Sequence, residues 1–171
     1  MKNAAVLALV YILSPAVCWC ADRAANLRHD AAACIGAWNS GRYSQVVSCL
    51  SERVVPDARA RASALAEIKD SFVFGGMQID SIQVTLGKVP PPRKYRTLYA
   101  SVFPVFAVVK GLGFQLTDTG YVLGVSKDDG RTWKFVPLMD YDPLLFNRQF
   151  PEFEGRIAVP ATIPPTLEPN I

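Results

Sequence analysis

The chain has 171 residues, half of them hydrophobic, with one histidine and a formal net charge of +3. That length suits one domain with a single core. The small, dispersed charge excludes a polyanion partner such as nucleic acid, and the lone His29 with so few cysteines gives no metal-ligand set.

The first 20 residues read as a secretory signal peptide. Lys2 is the only charge before Asp22, Ala4 to Leu13 form a short apolar run, and Ser14-Pro15 break it ahead of small residues. Cleavage after Cys18 puts Ala16 at position −3, and cleavage after Cys20 puts Cys18 there. The apolar run is too short to span a bilayer as a helix, so no permanent membrane anchor is expected. The product is an exported protein, periplasmic or secreted, and neither cysteine has the small residues before it that a lipoprotein site needs. Removing Lys2 leaves 17 basic and 15 acidic residues, a net charge of +2.

Residues 21–142 are expected to form one α+β domain. Asp22 to Trp38 is alanine-rich and predicts a helix whose buried stripe is Leu27, Ala31, Cys34, Ile35 and Trp38. His29 falls on its surface. Asn39-Ser40-Gly41 ends it, and a second helix runs from Tyr43 to Leu50. Folding these two as an antiparallel hairpin brings Cys34 and Cys49 near one another. In an oxidising compartment that pair forms a disulfide; the alternative is two inert buried thiols. Asp57 is an N-cap for a third helix that reaches Gly75-Gly76, with Ala62, Leu65, Ala66, Ile68 and Phe72 on its apolar face.

The rest reads as β. Met77 to Val89 alternates through Ile79, Ile82, Val84 and Leu86, and Pro90-Pro91-Pro92 marks a loop. Tyr95 to Lys110 is a long strand containing Pro104, which requires an edge, a bulge or a split there. The basic run Arg93-Lys94-Tyr95-Arg96 reads as a solvated loop. Gly111-Leu112-Gly113 turns the chain into a strand from Phe114 to Lys127, and Trp133 to Met139 returns. This makes a meander of about four antiparallel strands. Residues 143–171, rich in proline, are expected to wrap the domain as an extended tail with a short strand near Arg156 to Val159.

Between the last two strands lies Ser126-Lys127-Asp128-Asp129-Gly130-Arg131-Thr132-Trp133. Asp128 can accept amides across a turn, Gly130 supplies positive φ, and Trp133 opens the return strand with a large apolar face. The run resembles the Asp-box, S-x-D-x-G-x-T-W, of sialidases and related propellers. That resemblance implies a structural hairpin formed by Ser126, Asp128, Gly130 and Trp133, remote from any active site.

The segment Trp38 to Val47, followed by Val54-Val55, resembles the opening of domains similar to nuclear transport factor two. Gly120 to Val125 and Trp133 to Val136 would be their last long strands. Together with the proline-rich tail, these motifs resemble an uncharacterised group of bacterial exported proteins. The resemblance implies three N-terminal helices packed on a curved, cone-like antiparallel sheet; a cystatin-like sheet is the near alternative.

No catalytic, cofactor or metal residue is expected. The single histidine has no nucleophile elbow near it, Gly111-Leu112-Gly113 lacks the lysine and helix of a phosphate loop, and Glu152 and Glu154 lie on alternate tail positions. The expected function is binding of a protein partner, a second copy of the chain included, or of a small apolar ligand. The candidate surface is Tyr95, Tyr99, Phe103, Phe106 and Phe114. The competing reading is a small isomerase or dehydratase using general acid–base catalysis. It would draw its carboxylate from Asp80, Asp118 or Asp140 and its hydroxyl donors from Tyr99 or Tyr121.

Overall fold

The computed structural model describes residues 16–74, 77–139, 142–161 and 163–169. Most of the expected signal peptide, residues 1–15, lies outside them, as do Gly75, Gly76 and Asp140.

Helix α1 spans Ala16–Asn39, so it starts upstream of the Asp22 expected from composition. It ends at Gly41, whose φ of 69° allows the Gly41 amide to reach the Trp38 carbonyl (2.9 Å) and the Arg42 amide the Ala37 carbonyl (2.8 Å). This pair of bonds is the Schellman arrangement that satisfies the last carbonyls of a helix. Helix α2 is Tyr43–Cys49, and α3 is Ala58–Asp70. Asp57 caps α3 by accepting from the Ala60 amide at 2.8 Å. No residue of α3 is buried: Ala62 and Ala66 are exposed, while Leu65, Ile68 and Phe72 are half-buried. Its apolar stripe therefore borders the core without entering it. Phe72 instead joins Tyr43 (5.7 Å) and Trp38 in an aromatic cluster where the three helices meet.

Strands β1 (Val73–Phe74), β2 (Met77–Leu86), β3 (Arg93–Tyr95), β4 (Leu98–Gly111), β5 (Phe114–Ser126), β6 (Lys134–Pro137) and β7 (Ile163–Pro169) are all antiparallel to their partners. The spine is the β4–β5 hairpin, in register from Tyr99↔Ser126 to Gly111↔Phe114. Each outer side is shared by two strands. β3 and β2 divide the edge of β4, and β6 and β7 divide the edge of β5.

That division explains Pro104. In an antiparallel ladder a residue's N–H and C=O point the same way, and the Pro104 carbonyl accepts from the Gly87 amide (2.9 Å), on the β2 side. Its missing N–H therefore faces the gap after β2 has ended. β4 continues unbroken toward β5, and the split falls on its neighbours. Gly87 fits there because a Cβ would lie 2.7 Å from Pro104 Cγ.

Alternation along the spine builds two cores. Leu27 and Ala31 of α1 pack with Phe103, Trp133 and Phe135 on one face. A Cβ on Gly124 would lie 2.7 Å from Leu27 Cδ1, so that glycine sets how closely α1 approaches. The opposite face, with Leu98, Ala100, Leu123, Val125 and Val136, is covered by the C-terminal segment. This corrects the expectation of three helices, about four strands and a wholly extended tail: the described residues hold a fourth helix in that tail and a seven-stranded sheet. Asp142 caps a fourth helix, α4 (Pro143–Gln149), by accepting from Leu144 (2.8 Å), and a 3-10 turn follows at Pro151–Phe153. Phe146, Phe150 and Phe153 stack with centroids 5.1 to 5.8 Å apart. Phe150 and Phe153 are fully buried, each stabilising the fold by about 1.5–3 kcal/mol. The tail strand lies at Ile163–Pro169 rather than at Arg156 to Val159. Sequence periodicity missed α4 because one short aromatic run framed by prolines carries too few turns to show a helical repeat. No helix among the described residues is long and apolar enough to cross a membrane.

Candidate functional site: a clamped turn and an open sheet face

The turn between β5 and β6 is held by side chains. The Ser126 hydroxyl donates to Asp128 Oδ1 (2.7 Å) and accepts from the Gly130 amide (2.9 Å). Asp128 also accepts from the Thr132 amide (3.0 Å) and hydroxyl (2.7 Å). Desolvation works to raise the Asp128 carboxyl, but the Thr132 and Ser126 bonds together outweigh it and hold it below the usual range. Gly130 has φ 83°, and a Cβ there would lie 2.3 Å from Arg23 Cγ. Trp133 is buried, and its indole N–H donates to the Gly130 carbonyl at 3.2 Å.

Helix α1 closes over this turn. Arg23 donates to the Asp129 carbonyl (2.9 Å) and to both carboxylate oxygens of Asp129 (2.8 Å each). Its hydrogen bond and charge hold the Asp129 carboxyl low. Its guanidinium lies 4.4 Å from the Tyr99 ring centroid. Asn26 donates to the Gly130 carbonyl (3.1 Å), and Asp30 accepts from the Trp133 amide (2.9 Å). Arg23, Asn26 and Asp30 recur at helical spacing beside Leu27 and Ala31. That polar edge of the stripe was the available sequence signal, but only the turn's position gives it meaning.

Cys34 and Cys49 are neighbouring half-buried thiols beside the Trp133–Phe135 core, not joined by a disulfide. Burial first, then the hydrogen bond and charge of the Cys49 sulfur, push the Cys34 thiol well up, while Lys134 opposes this.

The five candidate aromatics do not share a surface. Tyr95 packs edge-on against Phe153 on the α4 side (5.1 Å), whereas Tyr99 and Phe103 face α1. Phe103 is a core residue, 1% exposed. Phe106 stands on the α4 side of β4 and is 40% exposed, while Phe114 is half-buried at the far end of β5 on the α1 side. Composition identified an aromatic-rich strand; period-two alternation then distributes its members between opposite faces.

The register brings a different set together. In the half of the sheet away from the turn, Ile82, Val84, Val105, Ala107, Val109 and Leu116 occupy the α1 side of β2, β4 and β5. All are only half-buried, and Leu167 of β7, opposite Leu116, is 67% exposed. The other side of the same strands carries Gln83, Thr85, Lys110 and Thr117, all exposed, together with exposed Phe106 and half-buried Val108. The outer edge of β2 is blunted by Asn39, whose amide donates to the Val84 carbonyl (2.8 Å) and accepts from the Val84 amide (2.9 Å). Of the proposed bases, Asp80 is exposed and Asp118 is half-buried on the apolar side opposite Ala107. Tyr121 packs toward the α4 core and Tyr99 lies under Arg23, so neither hydroxyl bearer converges on Asp118. No group of three metal-ligating side chains occurs among the described residues.

No protein-family model, curated protein or solved structure matches this chain.

Proposed function

We propose that this chain is an exported, non-enzymatic binding domain that takes a partner on the half-covered apolar side of its distal sheet. The partner is a protein, a second copy included, or a small apolar ligand. The observation that carries this reading is the aliphatic side of β2, β4 and β5 there: Ile82, Val84, Val105, Ala107, Val109 and Leu116 stay solvent-accessible, against an opposite side that mixes polar residues with Phe106 and Val108. Such a patch on a small domain favours interaction. The helix–turn–helix opening is consistent with a cone similar to nuclear transport factor two, and the Ser126–Trp133 turn with an Asp-box serving as a fold element. The leader-like first 20 residues support export.

The test combines light scattering with extraction. Purified protein is examined across a concentration range for self-association, and organic extracts are examined by mass spectrometry for co-purified apolar molecules. Leu167→Asp, at an exposed position, should abolish whichever is found without unfolding the domain. A monomer at every concentration with nothing extracted would refute the reading. Among the described residues the acid–base alternative rests on Asp118, which lies on the same apolar side; under the binding reading, Asp118→Asn leaves association intact.

A further inference from the structure

We propose that the cleft between β3, the Pro90–Pro91 loop and residues 156–158 binds a small organic carboxylate. The cleft arises from how the edge of β4 is shared. Extending the Arg93↔Ala100 register by two residues sets Pro91 opposite Val102, and Pro91 has no N–H to donate. The ladder therefore stops at Ala100 and resumes at Pro104, where Gly87 donates. The gap opens into a cavity of about 220 Å³. The Ser101 hydroxyl fixes one wall by donating to the Pro90 carbonyl at 2.9 Å.

Two arginines from separate segments line this cavity. Arg93 comes from β3 and Arg156 from the stretch after the 3-10 turn. Glu154 is shared between Arg96 and Arg156, and no ion pair among the described residues involves Arg93. Two arginines thus share one carboxylate, and Arg93 adds a further positive charge on the cavity wall. The planar fork of arginine matches a carboxylate in two parallel bonds. Apart from Ser101 and the Tyr95 hydroxyl the remaining lining is apolar, including Val102, Ile157 and Pro91, so the ligand needs an apolar body behind its charge. The volume falls below the roughly 300 Å³ at which drug-sized pockets begin, which limits that body to about a single ring or a short chain. An inorganic phosphate would satisfy the arginines but leave the apolar walls unused.

This cleft lies on the α4 side of the sheet, opposite the aliphatic patch, so the two readings stand or fall separately. Sodium benzoate is titrated into the purified protein and followed by amide chemical shifts, with benzamide and inorganic phosphate as comparisons. The expected result is saturable binding with a dissociation constant on the order of 1 mM, centred on Ala100, Val102 and Ile157. Arg93→Gln and Arg156→Gln should each weaken it by about tenfold. Arg61→Gln, on exposed α3, and Leu167→Asp should leave it unchanged. Lack of saturation by ~20 mM, about twenty times that constant, overturns the proposal. Benzamide binding as tightly as benzoate, phosphate binding as tightly as benzoate, or wild-type affinity in Arg93→Gln each overturns it too.

Discussion

Glu152→Gln isolates the contact that ties the C-terminal segment to the rest of the domain. Glu152 accepts from Arg53 Nη1 at 2.8 Å and Nη2 at 2.5 Å, and Nη1 also donates to the Gln149 carbonyl at 2.7 Å. The guanidinium carbon lies 4.9 Å from the centroid of Phe150, so the pair is built onto the aromatic stack. The hydrogen bond from Arg53 holds the Glu152 carboxyl at about 2, against an ordinary 4.5. Converted directly, a shift of this size is worth about 3.4 kcal/mol. The two side chains are 25% and 18% exposed, and solvent screening reduces the expected contribution to about 1–2 kcal/mol. The folded value lies below the unfolded one, so the stabilisation is fully present above pH 4.5 and is lost as pH falls through about 2. Urea unfolding of wild type and Glu152→Gln should therefore differ by about 1–2 kcal/mol at pH 7 and converge near pH 2, a gap of about 2–8 °C in melting temperature at neutral pH. Equal stability at pH 7, or a gap that persists at pH 2, would show that the ion pair does not hold the tail.

Two further outcomes test the helix side. Asp128→Ala removes the acceptor of three hydrogen bonds within the turn and should destabilise the domain by about 2 kcal/mol in the same unfolding assay, with association and benzoate binding retained; an unchanged unfolding midpoint would show that the turn forms without it. Oxidised glutathione should convert Cys34 and Cys49 to an internal disulfide, two thiols losing two hydrogens as the glutathione disulfide is reduced to two thiols. The product is 2 Da lighter by intact mass and about 3 kcal/mol more stable, from closing a loop of about 15 residues. Mixed glutathione adducts at both cysteines would show that the sulfurs cannot reach one another.

Local patterns in the chain were enough for its three N-terminal helices, its long hairpin and the turn between β5 and β6. Helical spacing of Leu27 and Ala31, the N-cap at Asp57, alternation through β2 and the Ser126–Trp133 run each act over a few residues, where neighbouring dihedrals and side-chain direction decide the outcome. The order of helices before strands, and so the α+β class, follows from the same patterns.

Which of these pieces meet was decided only in three dimensions. Arg23 becomes a clamp because Asp129 is brought to it from 106 residues away. Pro104 is tolerated because two other strands happen to end beside it. The aromatics of β4 separate onto opposite faces because one residue along a strand reverses direction, and the patch that remains open consists of aliphatic side chains drawn from three strands. The stack of Phe146, Phe150 and Phe153 replaces a wholly extended tail because the far side of the sheet, once formed, exposes apolar surface that some segment must cover. Periodicity reports which side of an element is apolar; what that side faces depends on contacts between residues distant in the chain, and no local pattern encodes them.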